Sequence, residues 1–270
     1  MNSKLVTRRS EATTTMKIAT WNVNSVLARL PVVTKWLEAA RPDVLCLQET
    51  KCTDDKFPVD AFAGLGYKSE TFGQRTYNGV AILSRTPCTE VQRGFHDDDE
   101  EAHARLLAAT VEGVRIVNVY IPNGAFVGSD KYRFKLEWMQ RLRAFFDAHY
   151  DNSAPVLLCG DFNVAPEERD VHDPQQWQGR ILFSKRERAA LLKIGDWGFE
   201  DAFRLHTQEG GHFSWWDYRA GSFRRNAGLR IDHIWVSPPL AAHCSASLID
   251  KEPRGWERPS DHTPVVAIFD

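Results

Sequence analysis

Acids and amides follow several predicted strands, at the points where those strands end. The apolar run at residues 156–159 is stopped by Gly160, which predicts a short strand buried on both faces. Because side chains alternate along an extended chain, Asp161 and Asn163 should project to one side just beyond it. Taken alone, this pattern is more typical of a turn than of a site. The other acids and amides at predicted strand ends are Asn22, Asn24, Glu49, Asp232 with His233, and Asp261 with His262.

Convergence of these side chains would place several carboxylates in one pocket. Like charges a few ångströms apart cannot all stay ionised without a cation. Carboxylate and amide oxygens, without the cysteine spacing of a zinc site, suit Mg²⁺ or Mn²⁺. Asp232 could orient the imidazole of His262 toward a phosphate oxygen. The sequence has no Gly-x-Ser-x-Gly, Walker or dinucleotide glycine motif, so the pattern favours metal-assisted phosphoester hydrolysis.

The elements that must position these residues begin with a strand, a helix and a second strand, at residues 17–21, 26–40 and 44–47. This order predicts an α/β architecture. Strands without helices between them come next, which predicts antiparallel pairing in a mixed sheet. These strands are predicted at residues 67–71, 79–84, 89–94, 105–111 and 114–120.

The rest of the chain predicts further helices and strands. Asp130 can cap a helix over residues 131–150, and we assign its apolar stripe to the core. A polar connection at residues 165–180 precedes a helix at 184–197, and a connection of that length inside one domain is usually functional. We expect two packed sheets with helices outside. The stripe consists of Phe134, Trp138, Leu142, Phe145 and Phe146, and the last strands are predicted at residues 213–218, 230–236, 242–249 and 264–269.

Composition predicts one globular domain over residues 16–270. The chain has 270 residues, 43% of them apolar, and a formal net charge of −2, which does not by itself indicate a nucleic-acid binder. A basic face could still exist if the acids are gathered elsewhere. The acidic segment at residues 96–101 is interpreted as a solvated loop rather than a metal site.

Cysteine usage and the absence of targeting signals favour the cytoplasm. The five cysteines are scattered and lack Cys-x-x-Cys spacing, which argues against a disulfide framework. No apolar run reaches the length of a membrane span, so no membrane partner is expected. Residues 1–15 are polar and are predicted to be a disordered extension, with Met16 an alternative start.

Seven segments resemble the exonuclease III family of DNA-repair nucleases, in order from Met16 to the C-terminus. Gly-Asp-x-Asn and Ser-Asp-His are shared with the wider group of metal-dependent phosphodiesterases and phosphatases that includes DNase I. The Gln-Glu-Thr-Lys, Phe-Ser-Trp-Trp-Asp-Tyr-Arg and Leu-Arg-Ile-Asp segments narrow the resemblance to the exonuclease III branch. The segments are Trp-Asn-Val-Asn at 21–24, Leu-Gln-Glu-Thr-Lys at 47–51, Asn-Val-Tyr-Ile-Pro-Asn-Gly at 118–124, Gly-Asp-Phe-Asn at 160–163, Phe-Ser-Trp-Trp-Asp-Tyr-Arg at 213–219, Leu-Arg-Ile-Asp at 229–232 and Ser-Asp-His-Thr-Pro at 260–264.

The resemblance implies a four-layer α/β sandwich that hydrolyses DNA phosphodiesters with Mg²⁺ or Mn²⁺. Two mixed sheets would pack face to face between flanking helices, as in DNase I. Glu49 would be the main metal ligand, assisted by Asn22 and Asp261. Asp161, Asn163 and His262 would complete the metal surroundings. The implied substrate is duplex DNA with abasic sites or blocked 3′ ends. A monomer is expected on separate grounds, because no surplus apolar surface can be read from the sequence.

The resemblance also implies catalytic and DNA-binding roles. Asp161 would orient or deprotonate the attacking water, which Asn163 helps to place. Tyr120 and His262 would bind the scissile phosphate, with His262 held by Asp232. A pocket for a base-free sugar would be formed by Trp215, Leu229 and Ile231, and the DNA strands would contact Lys131, Arg105 and Arg219.

Three positions vary among relatives of this family. Some relatives carry an aspartate where this chain has Asn24, which weakens the case for a second metal, and some carry a glutamine in place of Asn123. The loop around His172 also differs. We hypothesise that His172, a short distance after Asn163, lies near the sugar pocket and tunes abasic-site cleavage against exonuclease activity.

Two other functions compete with the DNA-repair nuclease. A metal phosphatase acting on small or lipid phosphates would not need the Trp215 segment or the spread of arginines. A catalytically inactive nucleic-acid-binding regulator on the same fold, as in catabolite-repression-control proteins, predicts the loss of catalytic residues. Glu49, Asp161, Asn163 and His262 are all present, which favours the nuclease.

Overall fold

Two mixed β-sheets of six strands each form the centre of the molecule. The computed structural model describes residues 15–99 and 102–270, so the predicted N-terminal extension lies outside the described residues except for Thr15. The strands of the described chain are β1 (Met16–Asn22), β2 (Val44–Gln48), β3 (Lys68–Phe72), β4 (Val80–Ser84), β5 (Thr89–Arg93), β6 (Leu106–Val111), β7 (Val114–Tyr120), β8 (Val156–Asp161), β9 (Glu200–Asp201), β10 (Asp232–Val236), β11 (Cys244–Ile249) and β12 (Val265–Phe269).

Helices cover the outer faces of the two sheets. The longest is capped by Ser129, whose Oγ accepts from the Tyr132 N–H at 3.0 Å. None of the helices that the structure describes is long and apolar enough to span a bilayer. The α-helices of the described chain are α1 (Val26–Ala40), α2 (Val59–Ala63), α3 (Asp130–His149), α4 (Pro174–Trp177), α5 (Lys185–Gly195), α6 (Ala202–His206) and α7 (Pro238–Ala241).

The strand order brings the candidate residues to one edge of the sandwich. The first sheet has the order β11-β12-β1-β2-β4-β3 and the second β5-β6-β7-β8-β10-β9. The parallel pairs are β1 with β2 and β7 with β8, so each pair ends at the same edge. Strand β10 runs antiparallel to β8 and therefore begins there, with Asp232 opposite Asp161. Strand β12 is likewise antiparallel to β1 and follows His262.

Three apolar layers hold the sandwich together. The central layer lies between the sheets and includes Ile18 and Ile82 of the first sheet and Leu157 of the second. Trp36 of α1 belongs to a second cluster on the outer face of the first sheet. Trp138 of α3 belongs to a third, on the outer face of the second sheet. The layers are thus helix, sheet, sheet and helix, as predicted.

Gly160 is required by its position beside β7. Its φ is +139°, and a Cβ added there would lie 1.9 Å from the carbonyl oxygen of Val119. No other residue type fits without moving the neighbouring strand. The glycine therefore sets the distance between β7 and β8 immediately before Asp161.

Two predicted elements differ from the structure. Residues 213–218 do not form a strand, because their pairing is limited to single bridges from Trp215 to Leu229 and to His262. The polar connection at 165–180 contains a 3₁₀ turn, Glu168–Asp170, and the short helix α4. Its backbone is ordered by the buried Asp170, which two arginines contact.

Helix α3 corrects two further predictions. Asp130 is its first helical residue rather than its cap, because Ser129 already supplies the capping oxygen. Phe134, assigned above to the core stripe, is 41% exposed, because α3 turns this part of its apolar face toward an open groove.

The acidic segment at 96–99 lies next to α3. Asp97 and Asp98 pair with Arg141 at 2.6 and 2.7 Å, and Asp97 is largely exposed. Glu100 and Glu101 lie outside the described residues.

Candidate active site

Glu49, Asp161 and His262 form one compact group at the edge of the sandwich. Their candidate ligand atoms all lie within 4.8 Å of one another. In the described chain this is the one group of three or more acids, histidines or cysteines that could hold a metal ion. Glu49 follows β2, Asp161 ends β8 and His262 precedes β12, so both sheets contribute to the group.

The amide of Asn22 links the two carboxylates. Its Nδ2 donates to Glu49 Oε1 at 2.9 Å and to Asp161 Oδ2 at 2.8 Å. Its Oδ1 accepts from the Asn24 backbone N–H at 3.0 Å. The nitrogen of this fully buried amide therefore faces the carboxylates, and Asn22 would have to turn its amide to offer oxygen to a cation.

Lys51 neutralises Glu49. Its Nζ lies 2.8 Å from Glu49 Oε2 and donates to Asn24 Oδ1 at 2.5 Å. Burial alone would raise the pKa of the Glu49 carboxyl, but Lys51 and the Asn22 hydrogen bond outweigh it and lower the pKa. Glu49 and Lys51 both have left-handed backbone conformations, with φ of 52° and 54°. Such conformations are uncommon outside glycine and cluster at functional sites.

Asp161 and Asn163 are held together as their spacing predicts. The Asn163 backbone N–H donates to Asp161 Oδ1 at 2.8 Å, and its Nδ2 donates to Asp161 Oδ2 at 3.1 Å. Asn163 has a φ of 51°, so the chain turns sharply after β8 rather than continuing as a strand. Burial is the largest influence on Asp161, and it raises the pKa of this carboxyl to about 7.

His262 lies between two carboxylates. Its Nδ1 donates to Asp232 at 2.8 Å, and its Nε2 lies 3.8 Å from Asp161 Oδ2. Burial opposes the charged imidazole, but Asp232 and Asp161 outweigh burial and raise the pKa of His262 to about 10. His262 is therefore protonated at neutral pH. Nδ1 is engaged by Asp232, and Nε2–H is available to a ligand oxygen.

Tyr120 ends β7 beside the same group. Its hydroxyl keeps its proton, because burial, together with the charges of Glu49 and Asp161, raises its pKa well above the usual value. The guanidinium of Arg105 lies over its ring, 4.7 Å from the centroid. Tyr120 can therefore act as a neutral hydrogen-bond donor next to the carboxylates.

Asp261 is adjacent to the compact group but outside it. Trp215 Nε1 donates to its Oδ2 at 3.0 Å, and Asn24 Nδ2 donates to its Oδ1 at 2.9 Å. Burial opposes ionisation, whereas His262, Asn24 and Trp215 favour it and lower the Asp261 pKa. Each oxygen retains a lone pair that could reach a cation.

The residues predicted to bind DNA lie in two places. Leu229 and Ile231 are almost fully buried in a cluster against which the half-buried Trp215 packs. Its neighbour Trp216 is fully buried, so one tryptophan of this pair points into the core and the other toward the site.

The basic residues predicted to bind DNA lie elsewhere. Lys131 and Arg105 line a groove that also contains Glu49 and Tyr120. Arg219 is exposed on the loop that follows Trp216.

His172 lies next to the Leu229 cluster. Its backbone N–H and its Nδ1 both contact the carbonyl oxygen of Gly228, at 3.1 and 3.2 Å, and the preceding Val171 bridges to Leu229. The imidazole is exposed, so it stands beside the cluster rather than within it.

His233 does not belong to the site, although the sequence pairs it with Asp232. It points to the other face of β10, where its Nε2 contacts the Val164 carbonyl oxygen at 3.1 Å. Burial, together with the neighbouring Arg230, lowers its pKa to about 4. His233 is a neutral core histidine.

Sequence reasoning gave no role to Lys51, Asn123 or Lys135. Asn123 Nδ2 donates to Asn163 Oδ1 at 3.0 Å. Lys135 is fully buried, pairs with Glu187 at 2.5 Å and donates to the carbonyl oxygen of Asn163 at 2.7 Å. Lys51 and Asn123 lie in segments that carry the family resemblance. Lys135 has no sequence signal apart from a charge within an apolar stripe.

The donor set fits a hard divalent cation. Glu49 and Asp161 supply carboxylate oxygens, and the amide and carboxylate of Asn22 and Asp261 lie next to them. The candidate ligand atoms lie within 4.8 Å of one another, whereas two metal–oxygen bonds of about 2.1 Å each span about 4.2 Å at most. A bound cation would therefore need to draw them together by only a few tenths of an ångström. Oxygen donors without thiolates are those of Mg²⁺ or Mn²⁺ sites rather than structural zinc.

Comparison with known proteins agrees with this geometry. Residues 19–262 match the sequence profile of the Endonuclease/Exonuclease/phosphatase family. The chain belongs to this family. Exodeoxyribonuclease III of Haemophilus influenzae is 35% identical over 266 residues, which cover 94% of this chain and 100% of the relative. The exodeoxyribonuclease of Bacillus subtilis is 33% identical over 260 residues, with 94% and 99% coverage.

Solved structures of family members share the fold. The Neisseria 3′ phosphatase NExo, bound to a product DNA hairpin, has a TM-score of 0.91 and 43% identity. An AP endonuclease from Archaeoglobus fulgidus has a TM-score of 0.91 and 40% identity. Each alignment covers 94% of this chain and 99% of the other. The predicted exonuclease III resemblance and the four-layer sandwich are thereby confirmed, and the family depends on divalent metal ions.

Proposed function

We propose that the protein is a metal-dependent DNA-repair nuclease that hydrolyses phosphodiesters at abasic sites and at 3′ ends of duplex DNA. It would act as an AP endonuclease, a 3′–5′ exonuclease and a 3′-phosphatase or phosphodiesterase. The observation that carries this proposal is the group of Glu49, Asp161 and His262 within 4.8 Å. Relatives named exodeoxyribonuclease across nearly the whole chain support it.

In this proposal Glu49 is the main ligand of the cation, and Asn22 and Asp261 assist. Bound there, Mg²⁺ or Mn²⁺ would polarise the phosphate and offset charge on the leaving oxygen. The ammonium group of Lys51, 2.8 Å from Glu49 Oε2, keeps that carboxylate ionised and fixes its orientation in the absence of DNA.

Asp161 is assigned to the attacking water. With a pKa of about 7, its carboxyl can accept a proton near neutral pH, which suits a general base. Asn163 holds it from two sides, through its backbone N–H and its amide. These bonds fix the carboxylate in one orientation, so that its remaining lone pairs can place a water in line with the phosphate.

His262 and Tyr120 are assigned to the scissile phosphate. His262 is positively charged because Asp232 and Asp161 raise its pKa to about 10, and its Nε2–H is free to donate. Tyr120 keeps its hydroxyl proton and offers a second donor. Donors aimed at the oxygens where negative charge develops lower the barrier to phosphoryl hydrolysis.

Contacts with DNA divide into a pocket and a charged surface. Trp215, Leu229 and Ile231 would receive a base-free sugar, since their apolar cluster adjoins Asp261 through the Trp215 indole. Lys131, Arg105 and Arg219 would contact phosphates, which positions the duplex without reading its sequence. The acids cluster at the metal, so a chain of net charge −2 can still bind a polyanion.

We further propose that residues 16–270 form a single catalytic domain that acts as a monomer in the cytoplasm. All five cysteines are free, as expected in a reducing compartment. Size-exclusion chromatography with light scattering tests the monomer: a mass near 30.8 kDa supports it, and twice that mass contradicts it.

The function is tested with a duplex that carries one abasic-site analogue and a 5′ label. In Mg²⁺ or Mn²⁺ the expected product is a single cut beside the lesion, together with shortening from the 3′ end. EDTA should abolish both products. Tight binding without cleavage in either metal would contradict the proposal and favour an inactive regulator on this fold.

A further inference from the structure

A groove beside the candidate active site carries aromatic rings that the proposed chemistry does not use. The groove has a volume of about 510 Å³, and its lining includes Glu49 and Tyr120. Phe134 of α3 and Tyr77 line it as well. The groove is therefore continuous with the site at which the phosphate would be cut.

These rings are unusually exposed for large apolar side chains. Tyr77 is 69% exposed, and Phe134 is 41% exposed. Phe126 is 66% exposed and directly follows Ala125, which also lines the groove. Isolated exposed apolar residues need no explanation, but several around one concavity mark a binding surface.

The ring of Phe134 is held in place. His103, another lining residue, contacts it edge to face with centroids 5.8 Å apart and an interplanar angle of 79°. Burial, together with the nearby Arg105, lowers the pKa of His103, so the contact is made by a neutral imidazole. Phe134 is still 41% exposed and lines the groove, so its ring offers apolar surface there.

Positive charge lies beside the rings. Lys131 precedes Phe134 by one helical turn on α3, is exposed, and has no ion-pair partner among the described residues. Arg105 also lines the groove, with its guanidinium over the Tyr120 ring. Cations and exposed aromatic rings in one groove match single-stranded nucleic acid, whose phosphates bind to the cations and whose base faces stack on the rings.

We propose that this groove, lined by Tyr77 and Phe134 with the exposed Phe126 next to its lining residue Ala125, binds unpaired nucleotides next to the duplex. The bases would stack on the rings, and the phosphates would lie near Lys131 and Arg105. The inference rests on the proposed nuclease function and narrows its substrate. Bases inside a duplex have both faces covered by their neighbours, so rings of this kind select frayed ends or short tails. A terminus that opens would be held beside Glu49 and Tyr120.

Three labelled probes test the proposal by fluorescence anisotropy with the intact protein in EDTA, where no cleavage is expected. The first is a blunt duplex, the second carries four unpaired thymidines, and the third carries four base-free spacers with the same phosphates. Each tail is placed at the 3′ end and, in a second set, at the 5′ end. Stacking predicts about tenfold tighter binding of the thymidine tail than of the spacer tail, in at least one polarity.

Substitutions identify the surface responsible. Phe134→Leu and Phe126→Leu keep apolar bulk but remove the flat ring, and each should reduce the thymidine advantage several-fold. Phe134→Tyr should retain it. Leu192→Ala, at a residue that is 66% exposed on α5, should leave it unchanged. All variants should bind the spacer tail like the wild type.

The outcomes separate this inference from the function on which it rests. If the protein binds the blunt duplex but binds thymidine and spacer tails with equal affinity at both the 3′ and the 5′ end, the inference is overturned. An advantage that survives both leucine substitutions also overturns it. If the wild-type protein binds none of the probes, the proposed nuclease function fails as well.

Discussion

Asp232 and Asp161 lie directly opposite each other on adjacent antiparallel strands, and His262 contacts both carboxylates. Nδ1 is 2.8 Å from Asp232, and Nε2 is 3.8 Å from Asp161. A single strand pairing therefore fixes the distance between the carboxylate assigned to the water and the one that holds the imidazole.

Asp232→Asn should reduce kcat by about 10²- to 10³-fold with little change in KM. An amide cannot stabilise the protonated imidazole or fix its orientation as the carboxylate does. Steady-state kinetics on the abasic duplex measures the effect. Asp196→Asn, at the exposed end of α5, is the control and should behave like the wild type. A loss confined to KM would contradict the role given to Asp232.

Asp170→Asn should destabilise the protein by about 3–5 kcal/mol at pH 7. It removes the carboxylate that pairs with the buried Arg204 and Arg230 and leaves Arg230 with Asp201 alone. Burial would raise the Asp170 pKa, but the two guanidiniums outweigh it and lower the pKa. The carboxylate therefore stabilises the fold above its unfolded pKa of about 3.9, and this contribution is lost as the pH falls further.

Urea unfolding of the wild type and Asp170→Asn at several pH values checks this sign. The difference in unfolding free energy should be constant from pH 7 to about pH 5 and should shrink below about pH 4. Asp147→Asn removes an exposed ion pair with Arg143 and should have little effect at any pH. A difference that grows on acidification would refute the assignment.

Gly160→Ala should cost more than about 4 kcal/mol or prevent folding, since its Cβ would lie 1.9 Å from the Val119 carbonyl oxygen. Gly113→Ala is the matched control, because Gly113 also has a positive φ but has no atom within 4 Å of an added Cβ. Gly113→Ala should lower the free energy of unfolding by only about 1–2 kcal/mol, because alanine is disfavoured in the left-handed backbone conformation. Thermal unfolding of both variants measures the contrast, and equal losses would contradict the steric argument.

His172→Gly should raise the ratio of abasic-site incision to exonuclease activity by about tenfold, or ~1.4 kcal/mol. The imidazole stands beside the Leu229 cluster, anchored on Gly228, and its removal opens that side of the proposed sugar pocket. Both activities are measured on matched duplexes with and without the lesion. An unchanged ratio would end the hypothesis that His172 tunes specificity.

Sequence patterns predicted the parts of the site that depend on local geometry. Asp161 and Asn163 lie together because two residues after a strand are close whatever the rest of the chain does. The link from Asp261 to Trp215 could not be predicted from pattern, since it joins residues 46 positions apart. It depends on how the loop between them folds, and residues 213–218, expected as a strand, form part of that loop.

Helical periodicity was misleading at Phe134. Spacing along α3 shows which residues share a face, but it does not show where the sheet beneath that face ends. Trp138 and Phe146 lie over the sheet, whereas Phe134 extends beyond it into the groove. The burial of Lys135 could not be predicted for a related reason. A lysine within an apolar stripe can be buried only if it has a partner, and that partner, Glu187, comes from a different helix, α5.

The role of Asp161 in placing the attacking water is tested by single-turnover cleavage of the abasic duplex by Asp161→Asn, with duplex affinity measured in parallel. Asp161 is fully enclosed by Asn22, Asn163 and His262, and an isosteric amide should preserve that packing. We expect a fall of about 10³-fold in the cleavage rate, with duplex affinity within about threefold of wild type. Cleavage within tenfold of wild type, at normal affinity, would contradict it.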